Sequence, residues 1–279
     1  MEEKTVTYHD LNDFCAFLAL EEKSKATIEK YRRDVKAFIE YAYNIPITKV
    51  LVVEYKRHLE ANKYAIRSIN SMLASVNSFL KFISLPDCVV KSLRVQKQTY
   101  CSESKELTKS EYMRLLSAAN NNDQLSLILQ TICSTGIRVS ELKYFTVEAI
   151  KNGEIEIRLK GKIRTILVPS SLRKRLLTFA LKKRIGKGCI FITRNGNPLD
   201  RSNIWSQMKK LYQKAHVAAS KVFPHNLRKL FARTFYTIEK DIAKLADILG
   251  HSNIETTRIY IMTTCTEHRR KIEKLGLVI

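Results

Sequence analysis

The sequence predicts a mainly α-helical protein with one small β-hairpin, divided into an N-terminal helical bundle and a C-terminal α+β domain. Two observations predict this class. Apolar residues recur at spacings of three and four along most of the 279 residues, as one buried helical face requires. One stretch, residues 154–168, instead alternates polar and apolar residues on either side of Lys160-Gly161-Lys162, which is typical of a hairpin.

The first hundred residues contain four helical patterns joined by short connections, which favours a compact bundle. The patterns lie at about 10–22, 26–43, 48–62 and 66–84. After Pro86 the chain becomes polar and basic, and a new helix start appears at Leu107-Thr108. We therefore predict a helical domain at residues 1–88, a linker at 89–105 and a second domain at 106–279.

The second domain mixes helices with the hairpin. The predicted strands are residues 154–159 and about 163–168. Helical patterns surround them at about 109–119, 123–134, 171–184, 201–216, 226–236 and 240–249.

The charge of the chain is large and uneven. Lys and Arg number 49 against 27 Asp and Glu, a net charge of +22. Residues 1–100 hold 16 basic and 12 acidic residues, whereas residues 101–279 hold 33 and 15, a net charge of +18. A basic surface of this size drives binding to polyanions by counterion release. We predict double-stranded DNA as the partner, because no lipidation motif or basic amphipathic helix indicates a membrane.

The sequence contains no signal-peptide core and no apolar run long enough to span a bilayer, which predicts a cytoplasmic protein. Six cysteines are scattered without Cys-x-x-Cys pairs, so we expect reduced thiols rather than disulfides. No cluster of Asp, Glu or Cys has ligand spacing, and we expect neither a metal nor another cofactor.

Three motifs carry residues suited to phosphodiester chemistry. In Thr135-Gly136-Ile137-Arg138, the glycine can end a helix in the left-handed conformation and project Arg138 from a sharp turn. Downstream, Pro224 precedes His225 and Arg228, which lie three residues apart in a predicted first helical turn. A helix N-terminus of this kind favours an anion.

The third motif runs from Leu249-Gly250-His251 to Tyr260. Gly250 predicts the end of one helix, and Ser252 with Glu255 matches a capping box that would start the next. His251 is then held in the turn between two helices, and Tyr260 lies about two turns into the second. Taken singly, each motif has a structural interpretation. Arg138 alone is better explained as a surface arginine, His251 is compatible with a surface turn, and Tyr260 is compatible with a half-buried aromatic whose hydroxyl is satisfied.

Taken together, the stretches TGIRVSEL, the KGK hairpin, PHNLRKLFAR and LGHSNIETTRIY resemble the tyrosine recombinase (phage integrase) family, in that family's order and spacing. The helical first hundred residues look like its core-binding domain. The resemblance implies a catalytic domain of that family at 106–279. It also implies a site-specific DNA recombinase or integrase that cuts and rejoins DNA through a 3′-phosphotyrosyl intermediate.

The resemblance also implies residue roles. Tyr260 would attack the phosphorus, with His225 as the general base. Arg138 and Arg228 would stabilise the charge of the transition state, and His251 would donate a further hydrogen bond to it. A hairpin lysine would protonate the 5′-oxygen. Aligning from the Lys-Gly pair selects Lys160, whereas counting back from Val168-Pro169 falls between Lys160 and Lys162; we assign Lys160. Glu141 either orients a histidine or arginine of the site or lies on a helix surface.

An apolar terminus, with Leu275, Leu277, Val278 and Ile279, follows the tyrosine helix. It suits docking onto a neighbouring subunit, and the alternative is that it folds back on its own domain. With the resemblance, docking predicts a homotetramer on two DNA sites. Accessory DNA-binding proteins are a further class of partner. The alternatives are a type IB topoisomerase-like enzyme that relaxes DNA as a monomer, or a DNA-binding relative without catalysis. The presence of every catalytic residue type argues against the latter.

Overall fold

The computed structural model describes residues 4–95, 102–159 and 162–275, which form α-helices and a two-stranded antiparallel sheet. The chain divides into two compact units, Met1–Lys97 and Gln98–Ile279. The predicted fold class, mainly helical with one small hairpin, is confirmed. Within the described ranges, no helix is long and apolar enough to cross a bilayer.

The first unit is built from four helices: α1 (Tyr8–Leu20), α2 (Lys25–Tyr41), α3 (Lys49–Ala61) and α4 (Ile66–Phe82). The side chains of Thr7, Ser24 and Thr48 accept hydrogen bonds from backbone N–H groups at the starts of α1, α2 and α3. These caps satisfy donors that have no partner within the helix, and they fix where each helix begins.

The core of the first unit is aromatic. Phe14, Phe38 and Phe79 are fully buried, and the Phe14 and Phe79 rings meet edge to face at 5.4 Å. The chain stays packed on this bundle beyond α4. Val90 is buried in the same core, and the Asn77 side chain both donates to the Val90 carbonyl (2.9 Å) and accepts from its N–H (3.0 Å).

The second unit contains the remaining α-helices of the described chain. They are α5 (Lys109–Ala118), α6 (Asp123–Thr135), α7 (Val147–Asn152), α8 (Ser170–Lys182), α9 (Arg201–Lys209), α10 (Pro224–Glu239), α11 (Ile242–Leu249), α12 (Ile254–Ile261) and α13 (Cys265–Glu273). A 3₁₀ helix, Val139–Tyr144, follows α6. The buried face of α6, including Ile128 and Ile132, packs in one large core with residues of α8 and the hairpin.

The predicted hairpin is present. Strand β1 (Glu154–Leu159) pairs antiparallel with β2 (Lys162–Leu167), from Glu154 opposite Leu167 to Leu159 opposite Lys162. Ile155, Ile157 and Ile166 are buried on its inner face, which is the face that the period-two pattern predicts.

One predicted helix is too long. The pattern at 201–216 predicts a single helix, but α9 ends at Lys209 and the chain continues in turns to His216, whose φ is +50°. Leu211 and Ala215 stay buried in these turns. The apolar spacing therefore continues after the helix ends, and the sequence pattern cannot reveal the boundary.

A second, smaller core lies between α10, α11 and α12. It contains Ala232 from α10, Leu245 and Leu249 from α11, and Tyr260 from α12. This cluster holds the tyrosine helix against α10, the helix that carries His225 and Arg228.

Candidate active site

The turn after α6 positions Arg138. Gly136 ends α6 with φ of +65°, as the sequence predicts, and a Cβ atom at this position would lie 2.3 Å from Cδ1 of Phe231. Only glycine suits both the backbone angle and this close approach. The backbone N–H of Arg138 then donates to Oε2 of Glu141 (2.7 Å), and its guanidinium pairs with Oε1 of the same carboxylate (3.1 Å).

Helix α10 begins at Pro224 and places His225 and Arg228 in its first turns. The side chain of Arg228 is almost completely buried, which the sequence did not predict. It donates to the carbonyl oxygens of Gly136 and Leu249, and Nη2 also lies 3.0 Å from Nε2 of His251. Its Nε has no hydrogen-bond partner among the described residues. Burial, followed by the charge of Arg138, lowers the pKa of Arg228 to about 10, so the guanidinium remains charged at neutral pH.

His251 lies in the turn between α11 and α12, after Gly250 ends α11 with φ of +64°. Its Nδ1 is 2.9 Å from Oγ1 of Thr257, a fully buried residue of α12. Burial and then the positive charge of Arg228 lower the pKa of His251 to about 4. The imidazole is therefore neutral at pH 7.

The cap of α12 differs from the prediction. Asn253, rather than Ser252, accepts the hydrogen bond from the N–H of Glu255 (2.8 Å), and the helix starts at Ile254. Ser252 and Asn253 are both good capping residues, and the helix starts one residue later than the capping-box spacing predicts. The glutamate side chain of that proposed box instead forms an ion pair with Arg258 at 3.6 Å.

Tyr260 is buried, and both predicted histidines surround it. Its ring meets that of His225 edge to face at 5.1 Å and that of His251 at 5.2 Å. Its phenol oxygen interacts with Arg228. Partial burial, followed by the charges of Lys229 and Arg228, lowers the pKa of His225, so that this imidazole is also neutral and able to accept a proton at pH 7.

Arg164 also belongs to this cluster, although none of the three motifs contains it. It lies on β2 and pairs through Nη2 with Oε2 of Glu141 at 2.5 Å, while Nη1 donates to the carbonyl of Ile248 at 3.0 Å. The Glu141 carboxylate is fully buried and bridges Arg138 and Arg164. The prediction that Glu141 orients an arginine is thus confirmed. The sequence pattern could have identified Arg164, because the alternation of side chains along β2 places it on the inner face of the hairpin with Ile166.

An open cleft of about 680 Å³ adjoins these side chains. Its lining is basic and aromatic, and includes Arg138, Arg201, Trp205, Phe223, His225 and Arg228. Trp205, half exposed, carries the ammonium group of Lys209 over its ring at 5.5 Å. A cleft lined in this way provides positive charge and stacking surfaces next to Arg228.

The structure brings five of the six predicted site residues together: Arg138, His225, Arg228, His251 and Tyr260. The sixth, Lys160, lies outside the described residues, and of Lys162 only the backbone is described. In the parts of the chain that the structure describes, no three His, Cys, Asp or Glu side chains are grouped in a way that could hold a metal ion.

Comparison with known proteins identifies the class that this fold and site define. The profile of the "Phage integrase family" matches residues 105–267, and that of the "Phage integrase, N-terminal SAM-like domain" matches residues 11–84. The chain belongs to the phage integrase family, and it is a tyrosine recombinase.

Among its relatives are the tyrosine recombinases XerA of Pyrococcus furiosus and of Pyrococcus horikoshii. The first is 29% identical over 100% of this chain and 98% of its own, and the second is 30% identical over 99% and 96%. XerD of Halalkalibacterium halodurans is 28% identical over 94% of this chain and 95% of its own.

Two solved structures share the fold of this chain. A crystal structure of XerA recombinase covers 98% of this chain and 100% of its own, with 25% identity and a TM-score of 0.54. A λ integrase tetramer bound to a Holliday junction shares the fold, with a TM-score of 0.73, 18% identity, and coverage of 92% of this chain and 78% of its own.

Proposed function

We propose that this recombinase cuts and rejoins double-stranded DNA at specific sites, with Tyr260 as the nucleophile. The observation that carries the proposal is the contact of Arg228 and two histidines with this one buried tyrosine. Arg138 lies close enough for its charge to act on both histidines and on Arg228. The 33 basic residues of positions 101–279 supply the sequence-independent part of DNA binding. Because the proposed substrate is DNA and the relatives named are archaeal and bacterial, we place the reaction in the cytoplasm.

In the proposed cleavage step, the phenol of Tyr260 passes its proton to His225, and the phenolate oxygen attacks the phosphorus. The bond between phosphorus and the 5′-oxygen breaks, and Lys160 protonates that oxygen as it leaves. The products are a 3′-phosphotyrosyl bond and a free 5′-hydroxyl. Attack by a second 5′-hydroxyl reverses the sequence and rejoins the strand. The number of phosphodiester bonds is conserved, so no external energy source is needed.

Arg138 and Arg228 would hold the non-bridging oxygens of the scissile phosphate. Burial of Arg228 supports this role, because a charged guanidinium in a site of low dielectric acts strongly on a nearby anion. Its Nε, which has no hydrogen-bond partner among the described residues, is a further donor for that anion. The carbonyls of Gly136 and Leu249 fix the guanidinium before DNA arrives, so little reorganisation is needed during the reaction.

The nucleophile can be tested with nicked duplexes that carry randomised flanks. Cleavage next to the nick releases a short strand, and without that strand the covalent intermediate cannot be rejoined and accumulates. Wild-type protein should form an adduct that survives denaturation with a subset of the pool. Tyr260→Phe should form no adduct, but it should still bind the duplexes in a gel-shift assay. Tyr236→Phe is the matched control, because Tyr236 packs on the same small core, and it should form adducts normally. An adduct with the Tyr260→Phe protein would refute the assignment.

We further propose a homotetramer on two DNA sites, joined by the segment that follows the nucleophile. Ile272 near the end of α13 and Leu275 after it are exposed, and apolar side chains of this kind gain stability by burial between subunits. Leu277, Val278 and Ile279 lie outside the described residues. The λ integrase structure that shares this fold is a tetramer on a junction, which supports the same arrangement here.

Deleting residues 272–279 tests the assembly. The truncated protein should bind one site nearly as well as the full chain but form fewer paired complexes and recombine less. Accessory proteins can be tested in the same assay by adding cell extract. Normal recombination by the truncated protein would refute the role of the tail. Monomeric relaxation of supercoils by the full chain would replace the proposal with the topoisomerase-like alternative.

A further inference from the structure

The hydrogen bonds of His251 assign its tautomer in the free protein. A guanidinium has only donors, so Nη2 of Arg228 donates to Nε2 of His251 across 3.0 Å. Nε2 must therefore be the unprotonated nitrogen of a neutral ring. The proton then lies on Nδ1, which donates to Oγ1 of Thr257 across 2.9 Å.

The inference rests on the proposed function, and this tautomer cannot perform the role that His251 has there. There His251 donates a hydrogen bond to the scissile phosphate, and the nitrogen facing Arg228 and the phosphate site is Nε2. Donation from Nε2 requires a proton on that atom. In the neutral ring, Nδ1 must then lose its proton and accept a hydrogen bond instead.

We propose that Thr257 is a positioning residue that allows His251 to exchange tautomers when DNA binds. Its hydroxyl accepts from Nδ1–H in the free protein and, after rotation about its C–O bond, donates to unprotonated Nδ1 in the complex. Nδ1 releases its proton to solvent and Nε2 takes one proton from solvent, so the charge of the ring does not change. The hydrogen bond from Nη2 of Arg228 to Nε2 breaks in this step, and Nη2 donates to the phosphate instead. A backbone carbonyl or a carboxylate at this position would fix one tautomer, whereas a hydroxyl supports both.

Burial and charge make this exchange preferable to protonating the ring. Thr257 is fully buried, so its hydroxyl competes with little water. The groups whose charges lower the pKa of His251 are Arg228 and His225 of α10, Arg138 of the turn after α6 and Arg164 of β2. The ring of Tyr260 from α12 lies against the imidazole. All the permanent charges among them are positive, and they oppose an imidazolium.

The direct test is the tautomer of His251, read from the ¹⁵N shifts of its two ring nitrogens in histidine-labelled protein. The His251→Gln variant identifies the signal. The free protein should show a protonated Nδ1 and an unprotonated Nε2. Adding a nicked duplex captured from the randomised pool to the Tyr260→Phe protein should reverse the two. A protonated Nε2 in the free protein, or no reversal with DNA, would overturn the proposal.

A kinetic test uses the same captured duplex. Thr257→Val keeps the shape of the side chain but removes the hydroxyl, and should slow single-turnover cleavage by about 10- to 100-fold with unchanged DNA affinity. Thr257→Ser should restore most of the rate. Thr256→Val, the same change one residue earlier at an exposed position, is the matched control and should cleave normally.

These outcomes separate the inference from the proposed function. If the wild-type protein captures no duplex, the proposed function fails, while the spectrum of the free protein still tests the tautomer. If wild type captures DNA and Thr257→Val cleaves it at the same rate, the inference fails and the proposed function stands. Circular dichroism detects whether Thr257→Val has lost its fold. If it has, Thr257→Ser provides the test, because the ¹⁵N shifts of its His251 ring should still reverse when DNA is added.

Discussion

Glu141 and Arg164 form a buried ion pair, with 2.5 Å between Oε2 of the carboxylate and Nη2 of the guanidinium. The same carboxylate pairs with Arg138 through Oε1. One negative charge therefore holds two arginines, one from the turn after α6 and one from the hairpin. Arg164 also contacts the end of α11 at Ile248, just before the His251 turn. Glu141 thus fixes the relative positions of the hairpin, Arg138 and His251.

Glu141→Gln should destabilise the protein, because it leaves two buried or half-buried guanidinium groups without a counter-ion. Removal of one partner from a buried pair costs roughly 3–5 kcal/mol, and we expect the free energy of unfolding to fall by about 3 kcal/mol. Urea denaturation measures it. Glu154→Gln, the same change at the exposed start of β1, should stay within about 0.5 kcal/mol of wild type. Equal stability of the two variants would contradict a structural role for the bridge.

Gly136→Ala should reduce the stability of the protein by more than the positive φ of Gly136 alone explains. Gly136 and Gly196 both have positive φ, +65° and +79°, but only at Gly136 would a Cβ atom collide with a neighbour, the ring of Phe231. We expect Gly136→Ala to be less stable than Gly196→Ala by about 1–3 kcal/mol, and to cleave DNA more slowly because the Gly136 carbonyl holds Arg228. Thermal denaturation compares the two variants, and equal losses would show that φ alone matters.

Stability should fall with pH in a way that depends on His251. Its pKa is about 4 in the folded protein and near the ordinary 6.5 when unfolded. Between these values the unfolded chain binds the proton and the folded one does not, so the free energy of unfolding decreases as the pH falls below 6.5. From pH 7.5 to pH 5 this contribution is at most about 2 kcal/mol.

His251→Gln should remove that contribution from the pH dependence, measured by denaturation at both pH values. His9→Gln is the control, because His9 is a highly exposed residue of α1. If His251→Gln and wild type lose the same free energy over this range, the ring of His251 is not held neutral in the folded state.

The hairpin lysine can be assigned by changing the leaving group. A sulfur in place of the 5′-bridging oxygen leaves without needing a proton donor, so it bypasses general-acid catalysis. Lys160→Ala should cleave an ordinary duplex much more slowly than wild type, by about 100-fold or more, and should recover on the sulfur-containing duplex. Lys162→Ala should show little loss and no such recovery. The reverse pattern would transfer the role to Lys162.

Local patterns predicted much of this structure from sequence. Helices α1 to α4 and the hairpin follow from apolar spacing, because burial of one face imposes a fixed period. The glycine caps at Gly136 and Gly250 were predictable for the same local reason, since left-handed backbone favours glycine. The end of α9 was not predictable, because the buried turns after it continue the apolar spacing. The cap of α12 at Asn253 was not predictable either, because two good capping residues, Ser252 and Asn253, are adjacent.

The site itself was only partly visible in the sequence. Five side chains came from the motifs, but their mutual contacts depend on elements far apart in the chain. Arg164 pairs with Glu141 from 23 residues away, and Arg228 reaches Gly136 from 92 residues away. No local pattern encodes such pairs. The full burial of Glu141 and Arg228, which sets their electrostatics, likewise appears only once α6, α10 and the hairpin are packed together.

The most direct test of Tyr260 as the nucleophile is to identify the atom that bonds to DNA. Adducts trapped on the captured duplex can be digested, and the peptide that carries the nucleotide can be sequenced by mass spectrometry. We expect one modified residue, Tyr260, joined to a 3′-phosphate, with a free 5′-hydroxyl on the released strand. Attachment through any other residue, or through a 5′-phosphate, would contradict it.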